Sequence, residues 1–440
     1  MNDRRIAAAA VLITGFGVML ALNAPGQLTY DSVVQLADGR SGFYGSWHPP
    51  VMAFLLGLFD AVLPGTLLFL LLQSGLMLAG LLAIVWLRPR NGLTVAVALL
   101  MVLTPQWLLY QGEIWKDILF SSAALAGFAS LALFARDGRK LWLGVSGVLL
   151  VLAAATRQNG LVLLPVAAVT LGLIARRHAR SGWRHGLTFL LASLAGTAAI
   201  ALALTARGDH GEGARTQIRV AQTYDLAGAL ARDPDLALPQ LKASAPGLES
   251  LLRQRAPTLY TPLHNDPLAD DPGISRAISA APAGAISGQW QALILGHTLL
   301  YLQTRMAVFG ATLLTPDPVQ CHFAPVGVDG PPEEMRALGL VPRIRPQDQA
   351  LADYARLFFH TPVFSHLAWG ALALLLLIVL ARRGTAPDIA IAGLLTGALL
   401  FTASFAVLSI ACDYRYLVFL DFAAMAAALH ATGRRQTIIF

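Results

Sequence analysis

The sequence predicts an all-α polytopic membrane protein, and three observations carry that prediction. Of its 440 residues 56% are hydrophobic and only 13% charged, with a mean hydropathy of +0.61, far from the composition of an ordinary soluble domain. Apolar runs of about 18 residues recur, each long enough as a helix to cross roughly 30 Å of hydrocarbon. In hydrocarbon an isolated segment satisfies its backbone polar groups only as a helix. The third observation is where the basic residues fall, which turns the net charge of +7 into a loop bias rather than a nucleic-acid signal.

The first helix spans about residues 6 to 24 and lacks a small-residue cleavage site, so it reads as retained. The outer segment 25–65 follows, with Asp31, Asp38 and the sequence Trp47-His48-Pro49-Pro50. An apolar stretch from Pro49 to Leu63 is too short to cross and stops at Pro64-Gly65; it predicts a juxtamembrane helix with the prolines in its first turn, where a missing N–H costs nothing. Spanning helices are expected at about 66–87, 91–109, 116–135, 141–155, 160–175 and 186–206, closing an N-terminal transmembrane module of residues 1–206. Residues 207–362 form a less hydrophobic, mostly helical loop domain, and 363–440 hold three more helices at about 363–381, 387–411 and 414–431. The total is about ten crossings.

With the N-terminus inside, the inner segments hold fifteen basic residues: Arg4, Arg5, Arg88, Arg90, Arg136, Arg139, Lys140, Arg176, Arg177, Arg180, Arg184, Arg382, Arg383, Arg434 and Arg435. The short outer segments hold four, Arg40, Lys116, Arg157 and Arg415. Both termini are therefore expected in the cytoplasm and the 207–362 domain outside. Within that domain Trp290 to Leu314 is apolar enough for a span, but an extra crossing would place Arg382, Arg383, Arg434 and Arg435 outside. An interfacial amphipathic helix anchored by Trp290, His297, Tyr301 and Arg305 fits better. Cys321 and Cys412 exclude a thiolate metal cluster and are expected as two unlinked thiols.

Topology then gathers chemistry on one face. Lys116 and Asp117 open one helix, Arg157 closes another in Ala-Thr-Arg-Gln-Asn-Gly, and Arg415 opens the last in Cys-Asp-Tyr-Arg-Tyr-Leu. Ionisable groups near hydrocarbon face a protein cavity and a partner. Lys and Arg together at headgroup level suit a phosphate or pyrophosphate, because guanidinium forks bind its oxygens bidentately and an ammonium adds a point charge. The plainer alternative is that they snorkel or pair with Glu113, Asp117 and Asp413. Asp31 is either an N-cap of the next helix or a catalytic or metal-binding carboxylate. Asp38 before Gly39 reads as a turn residue, and His48 beside a rigid Pro-Pro corner as a positioning group.

An outer Asp in the first loop, a Pro-initiated juxtamembrane helix, the Lys116-Asp117 helix start, Arg157-Gln158-Asn159-Gly160 and Tyr414-Arg415-Tyr416 together resemble the GT-C superfamily of membrane glycosyltransferases. The resemblance is to its family 39-like bacterial members, which include protein mannosyltransferases and aminoarabinose transferases, and it covers residues 1 to about 175 and 360 to 431. It implies a GT-C-like bundle in a bacterial inner membrane, an active site on the periplasmic face, a polyprenyl-phosphate sugar donor and an inverting transfer to a glycan, lipid or protein acceptor. On that pattern Asp31 is the general base, while Lys116, Arg157 and Arg415 hold the leaving phosphate. Asp117, Asn159, Tyr414, Tyr416 and His48 complete the substrate-binding set. Several GT-C enzymes carry Asp-Glu in the first loop, whereas Ser32 follows Asp31 here, so a divalent metal (Mg or Mn) lacks an adjacent second carboxylate. Two alternatives stand beside the transferase: a transporter or flippase of lipid-linked anions, expected to show repeats or mid-membrane charges, and a glycan ligase or polymerase using a pyrophosphate-linked donor, which keeps His48 and His322 in play.

Overall fold

The computed structural model describes residues 2–177 and 182–433; Arg180, Arg434 and Arg435 of the inner basic set lie outside them. Among the described residues there is no β-strand, only isolated bridges such as Gln27 with Glu113, and the protein is an all-α polytopic membrane protein. Among the described residues seven helices are long and apolar enough to cross a membrane, or nine if each of two bent pairs counts as one span. The ten crossings expected from sequence differ because Lys140–Thr156 is a short apolar helix, Val418–Ala431 has only 14 residues, and Gly92–Val102 continues into Pro105–Gly112 through a 61° bend. Thr104 and Pro105 make that bend: the Thr104 hydroxyl caps the new helix by accepting from Trp107 N–H, and proline cannot donate back to the old one.

The elements that build the site are α1 (Asn2–Asn23), α2 (Tyr30–Ser41), α3 (Val51–Val62), α4 (Leu67–Trp86), α5 (Lys116–Asp137), α6 (Lys140–Thr156), α7 (Glu212–Arg232), α8 (Thr298–Leu314), α9 (His366–Arg383), α10 (Ala386–Leu408) and α11 (Val418–Ala431). The bundle is arranged around α5, in which every residue from Asp117 to Leu133 is buried. Its small residues let neighbours approach closely: a Cβ on Gly127 would lie 2.8 Å from the Leu150 side chain, and one on Gly80 of α4 would lie 3.0 Å from the Ala126 backbone. A helix apolar all round belongs inside a bundle, and α4, α6, α10 and α11 pack around it.

The segment after α1 is two crossed helices. Gly39 of α2 and Gly57 of α3 meet backbone to backbone, so that a Cβ on Gly57 would sit 2.2 Å from Gly39 O. Gly39 therefore serves a helix crossing, and Asp38 is helical rather than in a turn; its Oδ2 accepts from Gly45 N–H at 3.2 Å and ties down the chain after α2. The expected juxtamembrane helix is α3, entered through Pro50.

Trp290 to Leu314 departs from the interfacial helix expected for it. It folds as two helices bent by 104° at His297, and α8 packs on α9 and α10. Arg305 is buried, pairing with Asp225 Oδ1 at 2.9 Å, and Trp290 Nε1 donates to the other Asp225 oxygen at 2.9 Å. Tyr301 is buried as well. Three of the four expected anchors thus face the protein, because the Asp225 carboxylate of α7 supplies a partner that no helical pattern reveals. The cysteines differ too: Cys321 and Cys412 form a disulfide, closing a loop between the 207–362 region and the segment before α11.

Candidate functional site

Asp31 lies in the first turn of α2, but Thr29 occupies the N-cap position, and the Thr29 N–H donates to Ser32 Oγ at 3.3 Å. The carboxylate is free of capping and points into a polar cluster. The segment that delivers it is laced to the approach of α5: Gln27 N–H donates to Gly112 O at 3.0 Å, Ile114 N–H to Gln27 O at 3.0 Å, and Ser32 Oγ to Ile114 O at 2.7 Å. Those bonds bring the first outer segment and the start of α5 to one place.

Around Asp31 converge groups from three other parts of the chain. Arg415 reaches Asp31 Oδ2 at 2.9 Å through Nη2 and Asp413 Oδ2 at 3.2 Å through Nε, and its guanidinium lies 5.0 Å over the Trp115 ring. His48 Nε2 stands 3.5 Å from Asp31 Oδ1, and its Nδ1 is 2.6 Å from Lys116 Nζ. With Lys116 as an ammonium, which can only donate, His48 Nδ1 accepts from it and the proton of the neutral ring sits on Nε2, facing Asp31. Burial pushes the Asp31 carboxyl up, yet Arg415, aided by His48 and Lys116, outweighs that and holds it well below the usual carboxylate range. Burial and the Lys116 charge lower His48.

Arg157 pairs with Asp117 and packs over Phe401, Phe405 and Tyr416, whose centroids lie 5.5 to 5.7 Å from it. Tyr416 is also 5.8 Å from Arg415, so one ring borders both guanidiniums. The loop domain contributes His322, with Nδ1 2.9 Å from Asp413 Oδ1 and a side chain 60% exposed. The Asp413 bond raises its pKa, and burial opposes it.

Not every expected site residue is here. Arg40 binds both oxygens of Asp60 at 2.7 and 2.9 Å and donates to Leu338 O, which makes it a brace between α2 and α3. The Tyr414 ring is fully buried, its OH 2.5 Å from Asp421 Oδ2 and 2.8 Å from Gln106 Nε2; it anchors the turn and cannot touch substrate. Asn159 donates to Ser404 Oγ at 3.1 Å on α10. Glu113 is not a counter-ion: it is fully buried and neither carboxylate oxygen has a hydrogen-bond partner. Sequence reasoning underrated Asp413 and His322, and the one signal for them was that each follows a cysteine.

Charge decides what the cluster can do. Lys116, Arg157 and Arg415 face Asp31, Asp117 and Asp413, so three cations meet three carboxylates. Of these three cations, Lys116 has an uncharged side chain, His48, as its hydrogen-bond partner. An anion entering the cluster would have to compete with Asp31 and Asp413 for Arg415, but with no carboxylate in contact with Lys116. Asp31 and Asp413 both give oxygens to Arg415, and among the described residues no three His, Cys, Asp or Glu side chains gather as metal ligands. A cavity of about 370 Å³ lined by Leu36, Arg40, Thr66, Val328 and Arg343 contains none of the clustered groups.

No family model and no curated protein matches the chain. Among solved structures, the chain is similar to the archaeal oligosaccharyltransferase AglB from Archaeoglobus fulgidus in complex with an inhibitory peptide and a dolichol-phosphate. The match covers 97% of this chain and 50% of that one, at 14% identity and a TM-score of 0.38. The chain thus spans about half the length of that protein, and an overlap this loose carries no functional weight; the site geometry does.

Proposed function

We propose that the protein is a membrane glycosyltransferase of the GT-C type that moves a sugar from a polyprenyl-phosphate donor to a hydroxyl acceptor, with inversion, on the outer face of a bacterial inner membrane. The observation that carries this reading is the meeting of Asp31 with Arg415 at 2.9 Å beside the His48–Lys116 pair. A carboxylate able to take a proton and cations able to bind an anion thus share one cluster, which supports this reading. Asp31 takes the acceptor hydroxyl proton as that oxygen attacks the anomeric carbon. The bond from anomeric carbon to phosphate oxygen breaks, and its electron pair leaves with the phosphate. Lys116 and Arg415 meet the charge as it develops, and Arg157, already matched by Asp117, adds field from behind. A positioned base contributes on the order of a hundred- to ten-thousand-fold.

The outward placement is supported by the basic-residue bias and by the Cys321–Cys412 disulfide, since such bonds persist in oxidising compartments. The acceptor is a glycan, lipid or protein of the cell envelope, and the 207–362 domain, which supplies His322, frames its approach. His322 at the cluster also suits a ligase using a pyrophosphate-linked glycan, and the two donors can be compared directly. In membranes containing the protein, transfer from polyprenyl-phosphate sugar should be lost in Asp31→Asn, with expression unchanged. Turnover retained in that variant, or seen only with a pyrophosphate-linked donor, removes the reading.

A further inference from the structure

Arg415 is gripped from two sides, and only one grip belongs to the proposed base. A guanidinium left alone with a carboxylate settles into a parallel two-bond fork. Closure of that kind on Asp31 would engage both of its oxygens and turn the guanidinium edge away from any phosphate. Here the fork is not formed: Arg415 gives Asp31 one nitrogen and sends Nε to Asp413.

Asp413 is in turn fixed by the external domain. Its Oδ1 takes His322 Nδ1 at 2.9 Å while Oδ2 takes Arg415. The adjacent pairs Cys321-His322 and Cys412-Asp413 are therefore joined twice, by the disulfide and by the imidazole–carboxylate bond, into a small closed ring. Two backbone bonds reinforce it, Tyr414 N–H to Cys321 O at 2.9 Å and Cys412 N–H to Leu263 O at 2.6 Å. His322 has φ of +49°, a left-handed conformation sparsely used by non-glycine residues and found where the surroundings over-determine it.

We propose that Asp413 and His322, locked together by the Cys321–Cys412 disulfide, are positioning residues that hold Arg415 off a two-bond closure on Asp31. Asp31 thereby keeps an oxygen for the acceptor proton, and Arg415 keeps a face for phosphate. Neither Asp413 nor His322 touches the reacting atoms. The inference rests on the assignment of Asp31 as base and Arg415 as phosphate ligand.

The charged groups around Asp31 are Arg415, His48 and Lys116, with Arg157, Asp413 and Tyr416 behind them. Those around His322 are Asp413, Arg415 and Asp266, the last flanked by His264 and Asp270. Breaking the disulfide changes none of these charges, so any effect on Asp31 reports geometry.

The test uses the full-length protein in membranes, as wild type before and after reduction and as Cys321→Ser/Cys412→Ser. Labelling of Asp31 by a water-soluble carbodiimide with an added amine, which needs the protonated carboxyl, is quantified by peptide mass spectrometry at one mildly acidic pH. Closure of Arg415 on Asp31 should slow labelling about tenfold, equivalent to the roughly one-unit shift a closer cation imposes. Exposed Asp137 serves as the control that stays constant. In transfer assays kcat should fall about tenfold with a smaller change in donor KM. His322→Gly, unstrained at this φ, should reproduce both effects. His322→Asn, which also tolerates this φ and keeps a donor for Asp413, should restore them toward wild type. Unchanged labelling and kcat in the reduced protein and in His322→Gly would overturn the proposal. Absence of transfer by the wild type would instead sink the transferase assignment and leave the labelling result to judge the ring by itself.

Discussion

At the residue scale the cluster is a set of competing ion pairs. Asp31 and an incoming phosphate want the same Arg415, so Asp31→Asn should do two things at once. Turnover should drop by at least about a hundredfold, while the affinity for a polyprenyl phosphate without its sugar should rise, because the competing carboxylate is gone. A direct binding measurement showing weaker affinity would contradict the competition. Lys116→Ala removes the cation that no carboxylate touches, and donor KM should rise more than kcat falls. The pH profile follows from the directions of the shifts. Asp31 is held well below the usual carboxylate range, so it stays ionised and imposes no acid limb near pH 5. His48 lies below its ordinary value of 6.5 and is neutral at pH 7; protonation at lower pH would put a second cation against Lys116. The acid limb that appears below pH 6.5 should therefore vanish in His48→Gln, read from kcat/KM against pH.

At the element scale, glycine placement sets how the first outer segment folds. The α2–α3 crossing brings Gly39 and Gly57 into backbone contact, and Gly208 does the same against Tyr44, whose carbonyl would lie 1.7 Å from an added Cβ. Ser46 accepts no slack either: its N–H and Oγ both reach Asp209 Oδ2 at 3.0 Å, which orients the loop leading to His48. Gly57→Ala should cost about 1 to 3 kcal/mol through overpacking and lower the detergent-solubilised melting temperature. A melting temperature equal to wild type would show that the two helices part easily. The turn before α11 is pinned from within by Tyr414, His366 and Asp421 and from outside by the disulfide. The His322–Asp413 bond has a stability window as well. A raised His322 contributes fully below its unfolded value and loses the contribution as pH rises through the folded one; a lowered Asp413 contributes above its unfolded value and loses it as pH falls through the folded one. Stability from this bond should peak between those limits and flatten in His322→Gly.

At the scale of the whole molecule, the 207–362 region and the helical bundle both contribute side chains to one cluster, His322 from the former and Arg415 from the latter. Orientation is open to direct labelling, because Cys321 and Cys412 are joined and should not react. A thiol placed by Ser41→Cys should be modified in intact cells by a membrane-impermeant maleimide, whereas Arg139→Cys should react only after permeabilisation. The reverse pattern would put the cluster in the cytoplasm. Much of the framework was legible in composition: hydropathy marks α1, α4, α5, α9 and α10 because hydrocarbon imposes a length and an apolar surface on any crossing helix. The bias of basic residues toward the other loops predicts one common face for Asp31, Lys116, Arg157 and Arg415, because clustered Lys and Arg resist translocation. Illegible were the bends, the elbow at His297 and the burial of Arg305, which depend on partners far along the chain.

The sequence by itself therefore determined a helical membrane protein, a polar segment with a carboxylate after the first helix, and a shortlist of cations. Local composition carries that much, because helix formation and membrane insertion respond to residues close together in the chain. Only the tertiary structure decided which cations are free and which are matched. It paired Arg40 with Asp60 and Arg157 with Asp117, buried Tyr414, left Lys116 against a histidine, and joined Cys321 to Cys412. Coulomb energy depends on separation in space, and the separations between Asp31, Lys116, His322 and Arg415 exist only once the chain is packed.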